Sequence, residues 1–175
     1  MLNTRIEVLR AEYLELRDFF RANDQMSFEL YIDNTYKKSL LLSAASYFES
    51  LITELIIGYT RLSSDGDEKI ISLIELKTLN RQYHTFFDWN AQNTNKFFGY
   101  FGTKSKEDAR KLLQERGLID AEKAFILIGR ERNNLVHNNY VEIIINYTFD
   151  EIYNQYVLAC KFIEFIKETF PQETK

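Results

Sequence analysis

An arginine and a histidine stand five residues apart in the run Arg130-Glu131-Arg132-Asn133-Asn134-Leu135-Val136-His137-Asn138-Asn139-Tyr140. A guanidinium grips a phosphate through a fork of N–H donors, and an imidazole gains and loses a proton near neutral pH. Arg132 and His137 therefore have the parts for phosphodiester chemistry, one to hold the phosphate and one to move a proton.

The element that carries them reads as a helix from about Asp120 to His137. Ala121, Ala124, Phe125, Ile128, Leu135 and Val136 recur at three- and four-residue intervals and predict one buried stripe. Arg132 falls inside that stripe, four residues after Ile128 and three before Leu135. A buried guanidinium stays charged and needs an accepting partner. Either a carboxylate on a neighbouring helix, such as Glu49 or Glu54, meets it, or it waits for an anionic ligand. His137 lies about 140° around the helix from Arg132, so the two do not share a face. Asn133 and Arg130, four and seven residues back, do share the face of His137 and are expected to orient it or tune its charge. Asn138 and Asn139 tolerate the left-handed conformation that ends helices, which makes His137 either a proton carrier at the helix end or a residue capping the last carbonyls.

The surrounding elements are helical as well. The first helix is expected from about Thr4 to Arg21, with Leu9, Tyr13, Leu16 and Phe20 on one face. A second spans about Phe28 to Leu62, with room for a bend near Asp33-Asn34. It carries a small-residue stripe, Ser39, Ser43, Ser46, Ser50 and Thr53, read as close packing within the chain or as a dimer seam. A turn at Ser63 to Asp67 precedes a short helix from Glu68 to about Leu79. The aromatic segment from Tyr83 to Phe101 either fills the core or stacks nucleic-acid bases. Within it, His84 and Asp88 have the spacing of a helix-surface pair. A helix after Lys106 ends near Glu115, with Gly117 as its cap. Val141 to Ile145 is β-branched and reads as a brief extended piece. Thr148-Phe149-Asp150-Glu151 is a capping box that opens a final helix running to about Phe170, before Pro171. The expected fold is an all-α antiparallel bundle with the Arg-x4-His pair on its penultimate long helix.

Composition narrows the function classes. The chain has 175 residues, 45% hydrophobic, with one proline and six glycines, and is expected to form a single domain over 1–175. Cys160 lies in an apolar helical pattern and reads as core. No phosphate loop, GxGxxG, HExxH or GxSxG occurs, and one cysteine with two histidines builds no familiar zinc site, so neither metal nor cofactor is expected. The first residues show no apolar leader, and no run approaches bilayer-spanning length, which together predict a cytoplasmic protein without membrane contact. A net charge of −4 counts against nonspecific nucleic-acid binding. Between Asn95 and Gly117, however, six basic residues face three acidic ones, a local +3 that is either an RNA guide or an ordinary solvated surface.

With Arg132, Asn133 and His137 in this order, the stretch resembles the signature of the HEPN superfamily, Arg-x4-6-His with a polar residue after the arginine. Tyr36 to Ile57, which includes Glu49, and Tyr83 to Gly102 are similar to a bacterial branch of predicted ribonucleases, the RiboL-PSP/MAE-like HEPN proteins. The resemblance spans about 36–165. Some toxin members carry a tyrosine two residues after the histidine; here Asn139 stands there and Tyr140 follows. The resemblance implies a homodimer with a composite active site that cleaves RNA without metal, in a toxin or defence setting with an antitoxin or regulatory partner. Arg132 and His137 would be catalytic, with Asn133, Arg130, Asn138, Tyr140 and Glu49 in support. The alternative it leaves is a non-catalytic HEPN-like module that binds a protein, a nucleotide or RNA.

Overall fold

A computed structural model describes residues 3–171; the other six residues of the expected single domain, Met1, Leu2 and 172–175, lie outside the described residues. The elements in order are α1 (Thr4–Ala22), α2 (Met26–Ser63), α3 (Glu68–Leu73), a π-helical turn (Ile74–Leu79), a 3-10 turn (Tyr83–Thr85), α4 (Asn95–Gly99), α5 (Thr103–Glu115), α6 (Ile119–His137) and α7 (Phe149–Thr169). No strand occurs among the described residues. The fold is all-α, and α6, the helix that carries Arg132 and His137, is the penultimate one.

Local chemistry sets most boundaries. Asn3 caps α1 by accepting from the Arg5 N–H, and Thr148 and Glu151 close a reciprocal capping box at the start of α7. The Glu151 carboxyl is held below its ordinary range by hydrogen bonds from the Thr148 backbone and hydroxyl. After α5, Gly117 takes φ +64°, and its N–H and that of Leu118 donate to Gln114 and Leu113. This turn sends the chain directly into α6.

The α1–α2 hairpin and the α6–α7 hairpin pack together through α2, which touches α1, α6 and α7. Phe48 of α2 lies 5.8 Å from Tyr156 of α7 and 5.7 Å from Phe125 of α6, and all three rings are fully buried. The aromatic segment plugs this core from the side. Phe87 sits 4.9 Å from Phe125, and Phe97 and Phe98 pack on Phe170. Cys160 is buried, and burial pushes its thiol pKa up. Such rings supply the largest apolar areas in the protein, which lets one short segment close the bundle.

Several expectations need correction. The second helix runs unbroken through Asp33 and Asn34. The short helix after it changes to π geometry at Ile74, with the Asn80 N–H reaching back to Glu75. Val141 to Ile145 forms no strand, because only Ile145 finds a buried site while Val141 and Ile144 point outward. Of the stripe Ser39, Ser43, Ser46, Ser50 and Thr53, the middle three are exposed, which counts against close packing within the chain and leaves the dimer-seam alternative. Helix α2 also contains an 18-residue window of mean hydropathy 1.5 with at most two charges, a length and composition that would suffice to cross a bilayer. The expectation that no run is long enough was therefore wrong. In this fold the helix is the one to which α1, α6 and α7 attach.

Candidate functional site

Arg132 lies one turn after Gly129, where α6 passes the aromatic segment. The Trp89 indole packs on Gly129, so close that a Cβ there would fall 1.9 Å from the ring. The indole N–H donates to the His84 carbonyl at 2.8 Å, which fixes the chain between them. Beside this contact is a small pocket lined by Glu49 of α2, Tyr83, His84 and Trp89 of the aromatic segment, and Arg132 and Asn133 of α6.

Arg132 is half-buried in this pocket, and no carboxylate lies within 4.0 Å of it among the described residues. Neither Glu49 nor Glu54 pairs with it; Glu54 instead accepts from the Ser50 hydroxyl. The hydrogen bond it does make is to its own neighbour, Nη1 donating to Asn133 Oδ1 at 3.1 Å. Asn133 thus orients the arginine, where the sequence had assigned it to His137. Tyr83 is buried, and its pKa is raised well above the ordinary tyrosine value, first by burial and then by the Glu49 charge, with Arg132 opposing. Its phenol is therefore a neutral wall of the pocket.

His137 stands at the opposite extreme. It is exposed, and its side chain makes no hydrogen bond or ion pair with another described residue. The capping role falls to Asn138, whose Nδ2 donates to the Asn134 carbonyl at 3.0 Å. Asn138 does so from extended backbone, φ −119° and ψ 175°, not from the left-handed region expected for it. Arg130 pairs with Glu131 at 3.2 Å. Val136, expected in the buried stripe, is 52% exposed, because the stripe at this end passes through Leu135 alone. One chain thus presents Arg132 in a pocket and His137 on the surface, about 7.5 Å apart along the helix axis and on different faces.

The residue that sequence reading missed is Lys38. It is 2% exposed, and its ammonium donates to the Tyr140 carbonyl at 2.7 Å and sits 4.9 Å from the Tyr140 ring. It therefore ties the chain that follows His137 to α2. Its signal was present: Lys38 precedes Leu41, Ala45 and Phe48 on the buried face of α2, where a lysine needs a reason. The hydroxyl of Tyr140 takes no part in the tie.

A shallow polar shelf continues from the pocket past Trp89 and Asn133, bounded by Asp88, Asn90, Lys96 and Arg130. Here the basic stretch of the sequence is largely spent. Arg110 pairs with Glu122, Lys111 with Glu115 and Arg116 with Glu168, leaving Lys96, Lys104 and Lys106 without a carboxylate partner among the described residues. His84 and Asp88 form no helix-surface pair, since the 3-10 turn ends between them and Asp88 instead accepts from the Asn90 N–H. No group of three or more His, Cys, Asp or Glu side chains among the described residues is placed to hold a metal ion.

The profile of the RiboL-PSP-HEPN family matches residues 7–172, nearly the whole chain. The chain belongs to that family. Membership in the HEPN superfamily supports a ribonuclease-like or RNA-related module at that level. No curated protein and no solved structure matches this HEPN chain. The match covers α2, the aromatic segment, α6 and α7, so the pocket around Arg132 lies wholly inside the HEPN region.

Proposed function

We propose that this HEPN domain is a metal-independent endoribonuclease that acts as a homodimer. The observation that carries the reading is the state of Arg132: a half-buried guanidinium with no carboxylate within 4.0 Å among the described residues, held by Asn133 at a crevice of about 10 Å³ beside the polar shelf. Such a charge is costly to bury unless an anion arrives, and the phosphate of RNA is a fitting one. In the reaction the ribose 2′-OH attacks the adjacent phosphorus while His137 moves the proton. Arg132 holds the phosphate and stabilises charge on its equatorial oxygens. The 5′-oxygen leaves, and a 2′,3′-cyclic phosphate remains on the upstream fragment. DNA is spared for want of the hydroxyl.

Two copies supply what one chain separates. Val136 beside His137 and Val141 and Ile144 in the chain that follows are exposed apolar residues, a surface that a second α6 would cover, bringing one copy's histidine towards the other's arginine. The biological setting, a cytoplasmic toxin or defence effector restrained by an antitoxin or regulatory protein, rests on the family likeness.

The test is incubation of wild type, Arg132→Ala and His137→Ala with a mixed RNA pool in EDTA, followed by mapping of the cut ends. Cyclic-phosphate ends produced by wild type alone support the reading; cleavage by either folded variant refutes the site.

A second reading is favoured by the charge: the net value of −4 and the pairing of three of the six basic residues in the 95–117 stretch leave little to attract RNA. In it, the domain is non-catalytic and Arg132 anchors a protein, nucleotide or RNA ligand. Growth arrest on expression, relieved by His137→Ala, would decide for the nuclease.

A further inference from the structure

A roomier cavity than the one at Arg132 lies elsewhere among the described residues. It has a volume of about 690 Å³ and opens between the C-terminal half of α2, the π-helical turn and the far side of the aromatic segment. The segment separates the two sites: Tyr83 and His84 face the arginine pocket, while Gln82, Thr85 and Phe86 face the cavity.

Its shape and chemistry describe an occupant. The volume is that of a small-molecule site. Along α2 the wall runs from Ile56 to Ser63, about 10 Å of helix. Ile56, Tyr59, Ile74, Phe86 and Phe97 supply an apolar lining. Lys77 is the one charged side chain on the wall, and it has no carboxylate partner among the described residues. The Ser64 hydroxyl, also on the wall, is buried with no hydrogen-bond partner. Ile74, Lys77 and Thr78 come from the π turn, a geometry that costs hydrogen-bond quality and recurs where a site is built.

We infer that this cavity binds an amphipathic monocarboxylate, a medium acyl chain lying along α2 with its carboxylate on Lys77. A mainly apolar cavity with a single unpaired cation on its wall suits an apolar chain carrying one negative charge. The site stands whether or not the arginine pocket cuts RNA.

The experiment is isothermal titration of the full chain with dodecanoate below its micellar concentration, with dodecyltrimethylammonium as the same chain bearing the opposite charge. Saturable binding of dodecanoate at one site per chain is expected, with a dissociation constant on the order of 100 μM or tighter. Lys77→Gln, an exposed change that leaves the fold intact by circular dichroism, should weaken it about fivefold and leave the cationic probe unaffected. Ile74→Trp should fill the cavity and abolish binding. The inference is overturned by the absence of saturable dodecanoate binding, by equal affinity for the two head groups, or by unchanged affinity in Lys77→Gln. Should Ile74→Trp fail to fold, the Lys77→Gln comparison alone decides.

Discussion

The Trp89 indole occupies the place where any side chain on residue 129 would stand, with ring carbons 1.9 and 2.2 Å from an ideal Cβ on Gly129. Glycine inside a helix ordinarily costs about 1 kcal/mol relative to alanine, so Gly129→Ala should stabilise α6 on propensity alone. Overpacking costs about 1–3 kcal/mol when the neighbour is a rigid ring, and here the ring is also held by its N–H bond to His84. The clash wins. Gly129→Ala is expected to lower stability by about 1–2 kcal/mol in urea unfolding and to shift the emission of Trp89, the single tryptophan of the chain. An alanine variant as stable as wild type with unchanged emission would show that the indole is free to move.

Lys38 is the second tie near the site. Truncation to Met keeps the apolar stem but strands the Tyr140 carbonyl, at a cost of about 1–3 kcal/mol. The loss should concentrate in the chain after His137, as faster amide exchange at 139–145 with α7 unaffected. Tyr140→Phe should change stability by less than about 0.5 kcal/mol, because the contacts use the Tyr140 carbonyl and ring. Equal loss in both variants would contradict this division.

Glu122 is 0% exposed, and its carboxylate accepts from the Thr94 N–H at 2.7 Å, the Thr94 hydroxyl at 2.8 Å and Arg110 Nη1 at 2.7 Å. These bonds lock the start of α4 and the middle of α5 onto α6. Glu122→Ala leaves Arg110 and two donors unmatched and should cost about 3–5 kcal/mol. Arg110→Met, which strands the carboxylate in turn, should be comparably damaging by the same unfolding measurement.

Buried phenols set an alkaline limit. Burial, then the hydrogen bond to Asp33, raises Tyr13 from 10.0 to about 12, and burial raises Tyr83 and Tyr156 as well. A group whose pKa is higher in the folded than the unfolded protein contributes stability in full below the unfolded value and loses it as pH rises through the folded one. The melting temperature should therefore hold to about pH 10 and fall between pH 10 and 12. Tyr13→Phe cannot ionise, so its fall over that window should be shallower. An identical slope in the variant would remove Tyr13 from the account.

Helices with a continuous apolar stripe were legible in the sequence, because periodicity reports burial directly: α1, α6 and α7 lie within a residue or two of where Tyr13, Ile128 and the Thr148 capping box place them. Lys38 stood out as a charge in an apolar row but was passed over, and its partner, the Tyr140 carbonyl, lies far along the chain. The remainder depended on partners distant in the chain. Nothing near Gly129 announces a tryptophan forty residues earlier, and nothing in Ile74 to Leu79 distinguishes a π turn from a third turn of α3. The orientation of Asn133 was misjudged for a related reason: i+4 spacing places it beneath His137, but the adjacent guanidinium is a stronger donor than an exposed imidazole is a partner.

That preference gives the sharpest prediction for the proposed chemistry. If Arg132 binds the scissile phosphate, the bond from its Nη1 to Asn133 keeps the fork directed into the pocket before RNA arrives. A hydrogen bond to a charged group is worth about 1.5–3 kcal/mol, so Asn133→Ala should slow RNA cleavage roughly 10- to 100-fold. As Asn133 acts through the arginine, the loss should fall on the rate at saturating RNA and leave the shape of the pH profile unchanged. Arg132→Lys should not restore activity, since an ammonium offers a point charge and no fork. Full activity in Asn133→Ala, or rescue by lysine, would mean that the arginine is needed only for its charge, and the pocket geometry would then carry no part of the mechanism.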